Sequence, residues 1–412
     1  ILKITFPVLV CLLMEQLIGL TDTAYLGRVG EAELGASALA GIFYLMIFML
    51  GFGFSIGAQI LIARRNGAKE YSQIGPLFMQ STAFLLLMSL VLFILSKVFV
   101  ARIMGTLIEA PDVREAAVRY LDYRVYGFFF AYVGSMFRAF YVGTTRTRIL
   151  TINSIVMVLT NVVLNYLLIF GKCGLPALGI QGAAVATLLA RITEFAVCSF
   201  CAVRSRLLPI QWRAFFRPGW EMLRRFVKYS SPVILNETAW GLGNSMLTVI
   251  LGYTDNSVEM LAANAVMGNL NRLFLVVCFG LGAATAVIIG KSIGEGRSHQ
   301  EVMDLSRTLL VFTALVGAGL TALSLLLVPT LFVPVVFPLF KLYGESAAIA
   351  TALAVTGFLS IPLHAYSISA VTGVLRAGGD VFWSTALDLG PQWLIALPLT
   401  ALLGLVLNAD PW

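Results

Sequence analysis

Long apolar segments follow one another almost end to end in this chain, and they fix its solvent before any other feature counts. A bilayer core of about 30 Å takes roughly 20 apolar residues per helix. With 59% hydrophobic and 12% charged residues among 412, the chain cannot close as a water-soluble globule. Strands are a poor alternative. A membrane-barrel strand alternates apolar and polar over about ten residues, whereas residues 83–99 are apolar on every face, with Lys97 their one charge. The sequence therefore predicts an all-α integral membrane protein. Its eleven spans lie near 3–27, 34–63, 78–104, 116–142, 148–171, 179–203, 228–252, 258–290, 308–337, 346–375 and 382–406.

The formal net charge of +7 takes its meaning from position. Arg64, Arg65 and Lys69 follow the second span, Arg146 and Arg148 the fourth, Lys291, Arg297 and Arg307 the eighth, and Arg376 closes the tenth. In the odd-numbered connections Arg28, Lys172 and Lys341 stand nearly alone. Because Lys and Arg collect on the cytoplasmic side, the even connections and the N-terminus are expected in the cytoplasm. The protein would be multi-pass in the plasma (inner) membrane. The basic balance reads as an orientation signal with lipid bilayer contact, not as a nucleic-acid footprint.

The chain also contains a similar half twice. Pro7 and Leu26-Gly27 recur 225 positions on as Pro232 and Leu251-Gly252. Ala36, Ala38, Gly41, Phe52, Gly53 and Gly67 recur 227 positions on as Ala263, Ala265, Gly268, Phe279, Gly280 and Gly294. Internal repeats are how many secondary transporters build two bundles that rock about a central site. Between the halves, 204–228 joins seven basic residues to Pro209, Pro218 and the amphipathic Trp212–Phe216 run. It reads as a basic cytoplasmic linker lying along the membrane surface. The expected division is a six-helix lobe over 1–203, the linker 204–228, and a C-terminal lobe over 229–412 with five helices. Five helices after six, and a start without Met, lead to the expectation of trimmed ends and a missing twelfth helix.

The five cysteines and two histidines make no metal or nucleophile set. Cys198 and Cys201 form CxxC within an apolar span, lacking a second CxxC, and read as packing residues. No catalytic cluster is present, so the chain is expected not to be an enzyme and to need no cofactor.

Polar residues within the spans carry the functional reading. An ionised side chain at mid-membrane costs about 3 kcal/mol on insertion scales and demands a partner, a wet cavity or a role. Five acids within spans stand out as candidates: Glu15, Asp22, Glu194, Glu237 and Asp388. Asp22 lies between Thr21 and Thr23, an oxygen-rich cluster suited to a hard cation or a proton. Glu15 stands two helical turns earlier on roughly the same face. Asn161, Asn165 and Thr187 offer neutral oxygens that extend a cation site or bond between helices. Glu237 follows Pro232 by five residues, beside Asn236 and Trp240. A carboxylate there suits a proton that loads and unloads, and the Trp240 π-face suits an organic cation. Asp388 and His364 are further candidates, and Glu194 is expected to pair with Arg191 at i, i+3.

Taken together, Pro7, Asp22-Thr-Ala-Tyr-Leu-Gly-Arg-Val-Gly30, the Asn161 to Asn165 and Ile169-Phe-Gly171 run, Gly179-Ile-Gln-Gly-Ala-Ala-Val-Ala-Thr187, Pro232 with Asn236-Glu237, and Gly373-Val-Leu-Arg376 resemble the multidrug and toxic compound extrusion (MATE) family. The resemblance spans nearly the whole chain. It implies two six-helix lobes related by a pseudo-twofold axis along the membrane normal, and export of organic cations or drugs against inward Na⁺ or H⁺. It also implies a first-lobe cation site, with Na⁺ or H⁺ as coupling ion, onto which Asp22, Asn161, Asn165 and Thr187 map. Asn165 stands where DinF-like members place an acid, so the chain looks closer to NorM-like members. Glu237 resembles the second-lobe acid of those relatives. Their acid in the tenth span has only His364, Tyr366 and Ser367 in its region here.

The expectation is thus a secondary active antiporter, acting as a monomer, that exchanges small organic cations or drugs for a monovalent cation. One alternative is a lipid-linked saccharide flippase of the same superfamily. Its cavity would carry Arg and Lys within the spans, where the ions of this chain read as mainly acids. The others are a membrane-embedded enzyme or a receptor.

Overall fold

The structure is a computed structural model, and it describes residues 2–107, 111–204, 212–216, 219–251, 257–339 and 343–406. Every regular element among them is a helix. In chain order these are α1 (Leu2–Leu26), α2 (Glu31–Gly67), α3 (Tyr71–Leu107), α4 (Pro111–Arg124), α5 (Gly127–Gly143), α6 (Arg148–Phe170), α7 (Ile180–Arg204), the short α8 (Trp212–Phe216), α9 (Trp220–Leu251) and α10 (Ser257–Gly294). They continue as α11 (His299–Val336), α12 (Glu345–Leu359), α13 (Ile361–Gly378) and α14 (Val381–Val406). Residues 205–211 and 217–218 of the expected linker, Gly252 of the repeat, Lys341 and 408–412 lie outside the described residues.

Each expected span falls on a helix, but the helices outrun the apolar cores. α3 begins seven residues before position 78, because its polar first turns continue the helix beyond the apolar stretch. The expected fourth span is two helices, α4 and α5, bent by 53°, and the tenth is α12 and α13, bent by 44°. Pro362, lacking an N–H, follows the second break. Eight described helices are long and apolar enough to cross a membrane, and up to ten spans result if each bent pair counts as one. The expected seventh span lies on α9, where Ser230, Ser231, Asn236, Glu237, Thr238 and Asn244 lower the hydropathy, and it is outside that number.

The helices gather into two compact units, Leu2–Ile234 and Leu235–Trp412. In the first, Leu26, Ala40, Tyr44, Met104, Phe128 and Ala184 form the main buried cluster. In the second, Ala263, Phe332, Phe337, Ile349, Phe358 and Ile361 do the same. π-Helical turns interrupt α11, α13 and α14; in α11 and α14 prolines 329, 334 and 391 remove donors from the regular ladder.

One close approach sets the first unit's polar geometry. α6 returns into α7 through a loop in which Gly171, Gly174 and Gly179 adopt positive φ, and α7 then lies directly on α6. A Cβ on Gly182 would stand 2.6 Å from the Leu168 carbonyl oxygen. Only glycine admits that spacing, which brings Thr187 onto the Asn161 face of α6. Gly182→Val is expected to force the helices apart and destabilise the protein by about 1–3 kcal/mol. Thermal unfolding in detergent micelles measures it, and an unchanged midpoint would remove this account of the contact.

Candidate cation site

The expected first-lobe residues converge. Asp22 projects from α1, Asn161 and Asn165 from successive turns of α6, and Thr187 from α7. Asn165 Nδ2 donates to Asp22 Oδ1 at 2.6 Å and to Asn161 Oδ1 at 3.0 Å. Asn161 Nδ2 donates to Thr187 Oγ1 at 3.2 Å, and that hydroxyl lies 3.5 Å from Asp22 Oδ2 and 3.0 Å from its own helix's Ala183 oxygen. Asn161 and Asn165 are fully buried, yet Asn165 Oδ1 has no hydrogen-bond partner. An orphaned buried acceptor costs about 1–3 kcal/mol. Turning the Asn165 amide over would aim that oxygen at the carboxylate, an arrangement stable only with a cation between them. The donor set fits a monovalent cation.

Two parts of the expected cluster are corrected. Thr21 and Thr23 are not ligands beside Asp22: each hydroxyl bonds back to its own helix, to the Leu17 and Gly19 carbonyls at 2.8 Å. Adjacent positions on a helix point apart, so sequence neighbours of Asp22 could not share its site. Glu15 does not join it either, and pairs instead with Arg138 of α5.

The in-span ions are not mainly acids. Arg124, the last residue of α4, places Nη1 3.9 Å from Asp22 Oδ2. Arg191 Nη1 lies 2.7 Å from Glu194 Oε2, as the i, i+3 spacing predicted. Each of these guanidiniums also lies over an aromatic ring of α2: Arg124 over Tyr44 at 4.6 Å, Arg191 over Phe48 at 5.8 Å and Arg138 over Phe52 at 5.9 Å. Tyr44, Phe48 and Phe52 recur every four residues, so one face of α2 carries all three cations. Desolvated cation–π contacts contribute up to about 2 kcal/mol each. The four-residue aromatic repeat, with as many arginines as acids in these spans, is the sequence signal that would have found the ladder.

In the second unit Glu237 and Asp388 come together, but around an arginine. Arg376 is 1% exposed. Its Nη1 lies 3.2 Å from Glu237 Oε1, its Nη2 3.5 Å from Asp388 Oδ2, and its Nε donates to Ser384 Oγ at 3.0 Å. Asn236 Nδ2 donates to Asp388 at 2.7 Å. Trp240 contributes its backbone carbonyl, accepting from Gln392 Nε2 at 3.3 Å. His364 lies earlier on α13, exposed, with Nδ1 3.1 Å from the Ser360 oxygen of the same chain turn. It stands three helical turns from Arg376 and outside this cluster.

The structure is that of a multi-pass helical membrane protein with charged networks inside each unit, and comparison with known proteins gives its relatives. The MatE family model matches residues 7–167. A probable multidrug resistance protein NorM from Idiomarina loihiensis is 24% identical over 314 residues, covering 75% of this chain and 66% of its own length. One from Agrobacterium fabrum is 25% identical over 408 residues, 97% of this chain and 85% of its own. The crystal structure of MATE in complex with MaL6 has the same fold, with a TM-score of 0.86 over 98% of this chain and 88% of that one at 18% identity. These matches support a transporter of the MATE family and of NorM type.

Removing Arg376 leaves two half-buried carboxylates without their shared cation, whereas removing Glu237 leaves Arg376 paired with Asp388. Breaking a buried pair typically costs about 3–5 kcal/mol. Arg376→Met is therefore expected to lower the unfolding midpoint far more than Glu237→Gln. Equal midpoints in detergent would contradict the shared-arginine geometry.

Proposed function

We propose that this protein is a cation-coupled antiporter that exports organic cations or drugs while Na⁺ or H⁺ flows inward. The observation that carries the reading is the convergence of one carboxylate, two amides and one hydroxyl from three helices at Asp22. The names of the curated relatives, multidrug resistance proteins, support the substrate class. The loop cations support an inner-membrane orientation with the N-terminus in the cytoplasm.

In this cycle the coupling ion reaches Asp22 from outside, with Asn161, Asn165 and Thr187 supplying neutral oxygens. Ion and drug drive exchange because they prefer different arrangements of the same protein, and coupling needs nothing more. Coupling belongs to the first unit, since a cation at Glu237 would have to displace Arg376 from a 3.2 Å pair. Arginines do enter the spans: Arg124, Arg138, Arg191 and Arg376 are each matched by a carboxylate. Arg272 of α10 is exposed and has no ion pair among the described residues, and one unmatched cation does not make the cationic cavity that the flippase reading needs.

The test is uptake of a fluorescent organic cation by proteoliposomes under an imposed Na⁺ or H⁺ gradient. The gradient that drives wild-type uptake identifies the ion. Asp22→Asn is expected to lower gradient-driven uptake about tenfold or more. Unchanged coupled uptake in that variant would remove Asp22 from the mechanism.

A further inference from the structure

We infer that Arg124 is a built-in competitor for the coupling ion: its guanidinium occupies Asp22 between ion-binding events and withdraws onto Tyr44 and Tyr120 when the ion arrives. The inference rests on the antiport reading and adds a residue that sets the affinity of its ion site.

Three features of Arg124 support it. The first is the length of its pair with Asp22. At 3.9 Å the two charges attract without a hydrogen bond, and Nε and Nη1 of Arg124 are buried with no hydrogen-bond partner at all. A purely structural buried arginine is expected to use its donors, as Arg376 does with three partners. Arg124 is instead held loosely by charge.

The second feature is a support the guanidinium already touches while it faces Asp22. The guanidinium carbon lies 4.6 Å from the Tyr44 ring centre and 5.6 Å from that of Tyr120. Tyr44 is itself stacked on Phe128 at 4.9 Å, so the platform is rigid. A cation–π contact holds the positive charge after the carboxylate has been taken by another cation. The guanidinium therefore does not have to reach water in order to leave Asp22.

The third is its place at a joint. Arg124 ends α4 where the chain bends by 53° into α5. Tyr44 closes against that joint, its hydroxyl 3.3 Å from where a Cβ on Gly127 would stand. A shift of the guanidinium from carboxylate to rings thus acts on the last turn of α4 beside the bend. The other groups facing the pair are Asn161 and Asn165 from α6, Thr187 and Arg191 from α7. Arg191 is a second cation near the pair.

Competition of this kind raises the ion concentration needed for half-saturation by the fraction of time the guanidinium holds the site. It also speeds ion release, because the carboxylate has a charge partner waiting. Removing the competitor should therefore tighten ion binding and slow turnover.

The experiment uses the full chain in proteoliposomes, with uptake of a fluorescent organic cation followed against the concentration of whichever ion, Na⁺ or H⁺, drives the wild type. Arg124→Gln is expected to lower the half-saturating ion concentration about tenfold, equivalent to about 1.4 kcal/mol, with a reduced maximal rate. Arg124→Lys should stay within about threefold of wild type, because a cation still competes. Tyr44→Leu should shift half-saturation upward, since the guanidinium loses that support. The opposed shifts of Gln at 124 and Leu at 44 separate competition from simple loss of structure, which would weaken ion binding in both. An unchanged or raised half-saturating concentration in a folded Arg124→Gln protein overturns the competitor role. If Arg124→Gln does not fold, the absence of an upward shift in Tyr44→Leu overturns it. If Asp22→Asn keeps full coupled uptake in the same assay, the antiport reading itself fails. If Asp22→Asn abolishes uptake while Arg124→Gln shifts nothing, the competitor role alone fails.

Discussion

A carboxylate inside a membrane helix must be met by a positive charge or by converging donors, and in this protein Glu15, Asp22, Glu194, Glu237 and Asp388 are each met by an arginine. The cost of leaving such an ion alone exceeds what neighbouring packing can offset. The pairs Asp22–Arg124 and Glu15–Arg138 therefore tie α1 to α4 and α5, while Arg191–Glu194 pairs within α7. The aromatic face of α2 binds the three guanidiniums to one support. The polar network at Asp22 depends on this frame, because Asn161 and Thr187 reach the carboxylate only while α1 is held beside α6 and α7.

The two halves share their packing and differ in their chemistry. Repeated small residues, such as Gly53 with Gly280 and Gly67 with Gly294, recur at one offset. The acids do not recur: by the offset of Pro7 and Pro232, Asp22 corresponds to Leu247 and Glu237 to Leu12. The first unit gives Glu15, Asp22 and Glu194 an arginine each. The second gathers Glu237 and Asp388 on the single Arg376, which contacts Ser384 and both carboxylates at 3.0–3.5 Å. An arginine with three partners suits a structural centre, and a loosely held pair suits a site that must exchange partners.

Most helices were legible because long apolar runs leave a membrane chain one economical way to satisfy its backbone. The grouping of Asp22, Asn161, Asn165 and Thr187 was legible through resemblance, and the amide spacing of four placed two of them on one face. Arg124 and Arg138 were missed for a definable reason. Sorting positive charge by loops treats cations as topology markers, and these two lie where that rule is silent. Reading Thr21 and Thr23 as co-ligands failed for another: sequence adjacency is not adjacency on a helix, and in an apolar setting a threonine hydroxyl bonds its own backbone first. The bend between α4 and α5 left no proline to announce it. Its physical mark is the tyrosine packed against Gly127, a long-range contact that composition cannot reveal.

Charge balance within the first unit gives the proposed exchange its logic. Three acids, Glu15, Asp22 and Glu194, face three arginines, Arg124, Arg138 and Arg191. The set is neutral before any ion arrives, so a coupling cation brings an uncompensated positive charge into a poorly screened interior. That excess is tolerable on a tyrosine platform but not alongside a second cation, whose repulsion would add to it across many ångströms at low effective dielectric. In the proposed cycle, ion and organic cation therefore exclude one another through charge, without having to contest the same atoms. A neutral network with one mobile arginine is enough to make their occupancy alternate.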